Sequence, residues 1–355
     1  MRIGLRGALG IGLSVVLLVW ALHDVSPAQV WEELRHANAW YFLAATVTGT
    51  LIFPLRAIRW RVILDPVAPD ISYGALWRGT AIGMMVNNVV PVRAGELARA
   101  YALTREEPRV SFSAGIASLA VDRLFDSIVV LLLMLYAMLD PRFGAAANPE
   151  YRAYAVRAAM VGATGLGVVM VGLYTMVFFP ARFILLYQWL ARRLAPRLER
   201  RGAEVLWRFA EGLGVLRRPQ RLGAVVWWTT LHWLVQALSF WLGFRAVGIE
   251  APFSAALLVN GLIAVAAALP QAPGFFGSFE IAARIGLALY AVPGGRALSW
   301  ALGYHILTFI PITLIGLYYF ARLGMHFGEL EEAEQEAERE ALPGDDPAHG
   351  AVRHT

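Results

Sequence analysis

The chain contains no lysine and no cysteine, and all 31 of its basic residues are arginine. Without lysine there is no Walker phosphate loop, no Schiff base and no catalytic ammonium, so an ATP-driven P-loop transporter is excluded. The lack of cysteine removes thiol nucleophiles, thiolate-bound metals and disulfides, and leaves no mark of redox compartment. Charge is scarce as well. Only 16% of the 355 residues are charged and 58% are hydrophobic, whereas soluble domains carry about 25% charge. That balance excludes an ordinary soluble globular protein, and long apolar runs recurring as far as Phe320 point to one polytopic membrane domain.

The formal net charge of +5 hides an asymmetry. Residues 1–322 hold 29 Arg against 17 acids, and residues 323–355 hold 2 Arg against 9 acids. A basic membrane part suits retention of positive loops beside an anionic inner leaflet, and it leaves an anionic substrate open.

A spanning helix needs about 20 apolar residues. The first candidate, Leu5 to Leu22, begins like a signal peptide, but no small-x-small cleavage site follows His23 and Asp24, so it reads as an uncleaved span. A second runs from Ala39 to Ile58, between an acidic connection read as outside and the inside cluster Arg56, Arg59 and Arg61. Two shorter pieces follow, Tyr73 to Val90 and Ala94 to Leu103, broken by Asn87-Asn88-Val89-Val90-Pro91; they read as a re-entrant hairpin. Ser111 to Leu139 crosses outward and Tyr154 to Phe179 crosses back. The connection 180–221, with ten Arg against three Glu, reads as amphipathic helices on the inner surface. Leu222 to Val247 crosses outward. A second Pro-broken pair, Phe253 to Leu269 and Gly274 to Val292, precedes a last span from Arg296 to Arg322, and the acidic tail 323–355 reads as cytoplasmic, helical or disordered.

The expected fold is therefore an all-α polytopic membrane protein, with six full transmembrane helices and two Pro-broken re-entrant hairpins in an inverted-topology repeat. Its single domain, 1–322, divides into halves 1–140 and 151–322, with both termini cytoplasmic. Matching breaks in opposed halves are a sequence-level pointer to a transporter's substrate site.

Four segments carry a family resemblance: Arg56-Ala-Ile-Arg-Trp60-Arg, Asn88-Val-Val-Pro91-Val-Arg93-Ala-Gly95-Glu96-Leu-Ala-Arg99, Asp122-Arg123-Leu-Phe-Asp126, and Leu269-Pro-Gln-Ala-Pro273-Gly274-Phe-Phe-Gly277-Ser-Phe-Glu280. In their order and content the chain resembles the membrane region of lysylphosphatidylglycerol synthases and the stand-alone flippase-like proteins of that family. The resemblance covers roughly Leu5 to Arg322. It implies movement of a lipid, often an aminoacylated or glycosylated one, between leaflets. The expected function is that of a flippase-like transporter moving an anionic lipid or lipid-linked intermediate between leaflets, in a prokaryotic cell (inner) membrane. The short acidic tail stands where a full synthase has its aminoacyl-transferase domain, so lysyl transfer is not carried over.

A charge at the bilayer centre costs about 2.5–3.5 kcal/mol even on the lenient insertion scale, so Arg93, Glu96, Arg99, Asp122, Arg123, Asp126, Glu280 and Arg284 must face protein or water. Spacing pairs Arg93 with Glu96, Glu96 with Arg99, and Glu280 with Arg284. Two readings stand side by side. In the structural one these are salt bridges joining the halves. In the functional one Pro91 and Pro273 start half-helices whose N-terminal dipoles form an anion site, Arg93 clamps a phosphate, and Glu96 and Glu280 balance the charge or carry a coupling proton. The headgroup cavity is then lined by Asn88, Arg93, Glu96, Arg123, Glu280 and Arg284. Pro91, Gly95, Arg99, Asp122, Asp126, Pro273, Gly274 and Gly277 take structural or coupling parts. Asp122 and Asp126 share a helix face and could hold a divalent metal, but Arg123 between them favours a salt-bridge network. His232 and His305 read as packed core residues.

No catalytic residue, cofactor or metal is expected. The expected partners are membrane lipids, such as an anionic phospholipid or a polyprenyl-linked headgroup, and no nucleic acid; a homodimer and a separate lipid-modifying enzyme stay open. The alternatives to transport are a membrane-embedded lipid-modifying transferase using Asp122 and Asp126, and a non-transporting lipid-binding scaffold.

Overall fold

All regular structure among the described residues is helical. The computed structural model describes residues 25–90, 94–144, 149–194, 218–267 and 273–326, with a few positions at 12–20, 196–207 and 328–329. Most of the expected first span, Leu5 to Leu22, and most of the acidic tail lie outside the described residues, as do Pro91 and Arg93.

A short helix that apolar periodicity does not announce, α1 (Pro27–Arg35), starts where Ser26 accepts a hydrogen bond from the Gln29 N–H and Pro27 takes the first turn. Next, α2 (Ala39–Leu64) is capped by Asn38 and runs six residues past the expected Ile58. The first broken hairpin is α3 (Tyr73–Val89) and α4 (Gly95–Glu106); then come α5 (Phe112–Ala137) and α6 (Pro149–Phe178). The helix α7 (Pro180–Leu194) bends 118° away from α6. It leaves Leu185, Leu186, Trp189 and Leu194 exposed, as a helix lying in an interface would. Then α8 (Pro219–Ala246) leads to the second broken hairpin, α9 (Phe253–Ala266) and α10 (Ser278–Ala288), and to α11 (Gly294–Arg322).

Two of these helices, α2 and α11, are both long and apolar enough to cross a membrane, or three spans if α6 and α7 together make one. The helix α5 has comparable length, 26 residues, but sets Asp122, Arg123 and Asp126 into its apolar run. At 1.5 Å per residue, α4 (12 residues) and α10 (11 residues) reach only about 18 Å, short of a roughly 30 Å hydrocarbon core.

Cross-links sort the helix ends into two faces. At one face Arg221 pairs with Asp65, Arg78 with Glu106, and Arg105 with Glu329, which gathers the ends of α2, α4 and α11 with the starts of α3 and α8. At the other, Asn38 N–H donates to the Ala246 carbonyl, Ser254 to Asp140, and Gly144 N–H to the Leu289 carbonyl. The first hairpin thus opens to one face and the second to the opposite face.

The most extensive helix pair is α2 with α8, where Ser239 donates to the Ala45 carbonyl at 2.6 Å. An aromatic knot packs α8, α10 and α11 together, with Phe244 4.6 Å from Trp300 and Phe240 5.0 Å from Tyr304 in edge-on contacts. Outward faces are apolar. Leu132, Val168, Val171, Leu314 and Leu317 are exposed, the pattern of a surface solvated by lipid tails.

Candidate functional site

At the middle of the molecule sits a residue that sequence spacing left aside, Arg59. It falls one helical turn after Arg56 on α2, so both point to the same side. Its guanidinium is fully buried. One side meets both carboxylate oxygens of Asp126, at 2.5 and 3.2 Å, and Nη2 lies 2.6 Å from Asp122 Oδ1. A planar fork between two carboxylates on one face of α5 locks α2 to α5.

Around this pair the other charges close in from separate elements. Arg99, on α4, reaches Asp122 at 3.3 Å and stacks its guanidinium 4.0 Å above the Trp60 ring. Trp233 Nε1, on α8, donates to Asp126 at 2.9 Å, and Arg123 is hydrogen-bonded to Glu96. Arg56 stays farther out, 3.7 Å from Asp126, and its Nε has no hydrogen-bond partner. Among the described residues four guanidiniums thus meet three carboxylates. Arg99 turns to Asp122 rather than to the Glu96 expected from spacing, Glu96 takes Arg123, and the expected Arg93–Glu96 pair lies outside the described residues.

A cavity of about 640 Å³ borders this network. Arg56, Arg123, Asp126, His232 and Trp233 line one part of it, Ile52, Phe53 and Ile312 another. Both hairpin breaks reach it: Asn87 and Asn88 close α3, and Ser278 and Phe279 open α10.

The half-helix starts differ from expectation. The helix α4 begins at Gly95, whose N–H is taken by the Asn87 side chain at 2.9 Å. In the second break Pro273 opens only a short 3-10 turn, Pro273–Phe275, and Gly274, Phe275 and Gly277 all take positive φ, which delays α10 to Ser278. There Glu280, itself fully buried, accepts the Gly277 N–H at 2.6 Å. The N-terminus of α10 is therefore already occupied by a carboxylate of its own first turn. The other Glu280 oxygen meets His305 Nδ1 at 2.8 Å, and Phe276 stacks on the imidazole at 4.3 Å. His305 is a cavity-lining partner of Glu280 and not only a packed core residue; His232 lines the cavity 3.7 Å from Asp126.

Of the expected headgroup residues, Asn88 and Arg123 line the cavity and Glu96 stands behind Arg123. Glu280 lies behind His305, and Arg284 sits beside Gly294 outside the lining. The structure adds Arg56, Gln236, Asn260 and His305; Arg56 opens one of the four segments quoted for the resemblance, and the other three show in the sequence as polar residues inside apolar helices.

Residues 7–316 match the family described as the lysylphosphatidylglycerol synthase TM region. The chain belongs to that family. It is similar to a UPF0104 membrane protein of Methanothermobacter thermautotrophicus, 25% identical over 87% of this chain and 90% of the relative. A second UPF0104 membrane protein, from Pyrococcus horikoshii, is 22% identical over 87% of this chain and 93% of its own. A third likeness is partial: 131 residues, 36% of this chain, are 34% identical to a stretch making up 21% of the glycosyltransferase AglD of Haloferax volcanii. The chain is thus a helical membrane protein of the synthase transmembrane-region family.

Proposed function

We propose that this chain moves an anionic lipid between leaflets and holds its phosphate in the cavity between Arg56 and Arg123. One observation carries the reading. Arg56, 8% exposed, lines the cavity as the fourth guanidinium beside three carboxylates. A buried cation in an apolar domain needs a counter-ion, and a phosphate diester meets a guanidinium fork through two oxygens. Asn88 adds a hydrogen bond to the headgroup, Glu96 holds Arg123 in place, and the apolar wall of Ile52, Phe53 and Ile312 takes the first carbons of the acyl chains. Arg93, in the same break as Asn88, reinforces the phosphate site, while Glu280 and Arg284 support it from the second half. The family description supports lipid handling.

In this reading the chain has six full spans and two re-entrant hairpins, halves 1–140 and 151–322 form an inverted repeat, and both termini are cytoplasmic in an inner membrane. The two hairpins that open to opposite faces and border one cavity support it. The chain acts as a carrier and not as a catalyst. Asp122 and Asp126 are both engaged by Arg59, so the transferase alternative lacks an open carboxylate pair.

The test is translocation of fluorescent phosphatidylglycerol and phosphatidylcholine in proteoliposomes. A charged hydrogen bond to phosphate contributes about 1.5–3 kcal/mol, roughly 10- to 150-fold. Arg56→Gln is expected to slow phosphatidylglycerol by a factor in that range and phosphatidylcholine far less, with no effect of EDTA on either. A monodisperse Arg56→Gln protein that moves both lipids at the wild-type rate overturns the assignment, and an EDTA-sensitive rate favours the transferase.

A further inference from the structure

Beyond its charged groups, the cavity wall presents side-chain amides. Asn87, Asn88, Gln236 and Asn260 all line it. Each commits one end of its amide to the protein. Asn87 Oδ1 accepts the Gly95 N–H at 2.9 Å, and Asn88 Nδ2 donates to Thr313 at 2.7 Å. Gln236 Nε2 donates to the Tyr304 hydroxyl at 2.9 Å, and Asn260 Nδ2 to the Trp233 carbonyl at 3.1 Å. The two backbone partners fix the sense of their amides: Asn87 turns its NH2 away from Gly95, and Asn260 turns its carbonyl away from Trp233. Among the described residues the other end of each of the four amides has no hydrogen-bond partner, and all four residues line the cavity. Carboxylates are not so available. Both Asp126 oxygens are held by Arg59, and Glu280 is fully buried behind His305.

We propose that the phosphate-bearing lipid taken up here carries an uncharged polyhydroxyl headgroup, of the sugar or polyol class, and not an aminoacyl ammonium. The proposal rests on the anion-site reading above. A hydroxyl both donates and accepts, so neighbouring hydroxyls on one ring satisfy an open NH2 and open amide oxygens together. Once a lipid fills the cavity, unmatched amide ends would lose their water without replacement, which favours a headgroup able to pair with them. An ammonium would find amide oxygens but no free carboxylate, next to four guanidiniums balanced by three acids. Like charge in a low-dielectric site discriminates against it.

The experiment is native mass spectrometry of the full chain with pairs of lipids matched in charge at the phosphate. Citronellyl mannosyl phosphate is set against citronellyl methyl phosphate, phosphatidylinositol against phosphatidylmethanol, and lysyl-phosphatidylglycerol against phosphatidylglycerol. The polyhydroxyl member of at least one of the first two pairs is expected to bind about tenfold more tightly, the equivalent of one or two net hydrogen bonds. A preference in the citronellyl pair alone assigns a polyprenyl-type carrier, and one in the phosphatidyl pair alone a glycerophospholipid. Lysyl-phosphatidylglycerol is expected to bind more weakly than phosphatidylglycerol. In Asn260→Leu and Gln236→Leu the ratio is expected to fall toward one. Ratios of one in both polyhydroxyl pairs with the wild-type chain, or tighter binding of the lysyl lipid, overturn the headgroup assignment even when Arg56→Gln weakens every phosphate ester. If Arg56→Gln weakens none of them, the anion-site reading itself falls.

Discussion

Arg59 shows how a membrane interior tolerates charge. Its guanidinium replaces water for two carboxylates at once, adds the Thr229 hydroxyl at 3.2 Å, and keeps α2, α5 and α8 in register. Removing one partner of such a buried set leaves the others uncompensated, at a cost of about 3–5 kcal/mol. Arg59→Met is therefore expected to lower the thermal midpoint in detergent sharply and to cut yield. Arg123→Gln, whose side chain is 37% exposed at the cavity wall, is expected to shift the midpoint little, because exposed pairs contribute about 0–1 kcal/mol. Scanning fluorimetry of the two proteins decides it, and equal shifts would mean that Arg59 is not the hub. The same residue marks a limit of sequence reading. Asp126 is 67 positions away from it, so no helical spacing could pair them.

At the scale of elements, much of the helical pattern was legible because apolar runs and proline breaks follow from the physics of the bilayer and of the amide. Helix α5 starts and ends within two residues of its expected bounds, and both hairpins break where Pro91 and Pro273 interrupt the pattern. The apolar window did not see that α2 continues through Arg59 and Arg61, because Arg59 is neutralised by partners far along the chain. It also missed that the turn after Pro273 stays unwound through Gly277, since a sequence does not show which glycine takes positive φ. Two glycines now carry a testable load. A Cβ on Gly95 would lie 2.2 Å from the Gly83 carbonyl oxygen and 2.4 Å from the Asn87 amide. Gly95→Ala is thus expected to force the arms of the first hairpin apart, at about 1–3 kcal/mol for overpacking. Gly277 holds φ 89°, where an L side chain is strained by about 1–3 kcal/mol. Gly277→Ala is expected to loosen the Glu280 cap. Hydrogen exchange should quicken at the α3–α4 amides in the first variant and at the start of α10 in the second. Exchange that rises evenly over all helices would show that neither glycine acts locally.

For the whole molecule, orientation follows from which face keeps the arginines. The Arg221–Asp65 and Arg105–Glu329 pairs mark one face, and the connection leading to Arg221 holds ten Arg against three Glu, so under the proposed topology positive-inside retention is expected to place that face in the cytoplasm. The Asn38–Ala246 and Asp140–Ser254 contacts are then expected on the outer side. Because the chain has no cysteine, single-cysteine variants report this directly. Ser26→Cys and Pro141→Cys are expected to react with an impermeant maleimide in intact cells. Pro108→Cys and Arg218→Cys, exposed on the arginine-rich face, should react only after lysis. The reverse pattern would turn the molecule over while keeping its two faces. Ser26 and Pro141 labelling differently from each other would break the division into faces, and with it the opposed hairpins on which an alternating cavity depends; a carrier that exposes one cavity to each leaflet in turn needs those two hairpins to enter from opposite sides.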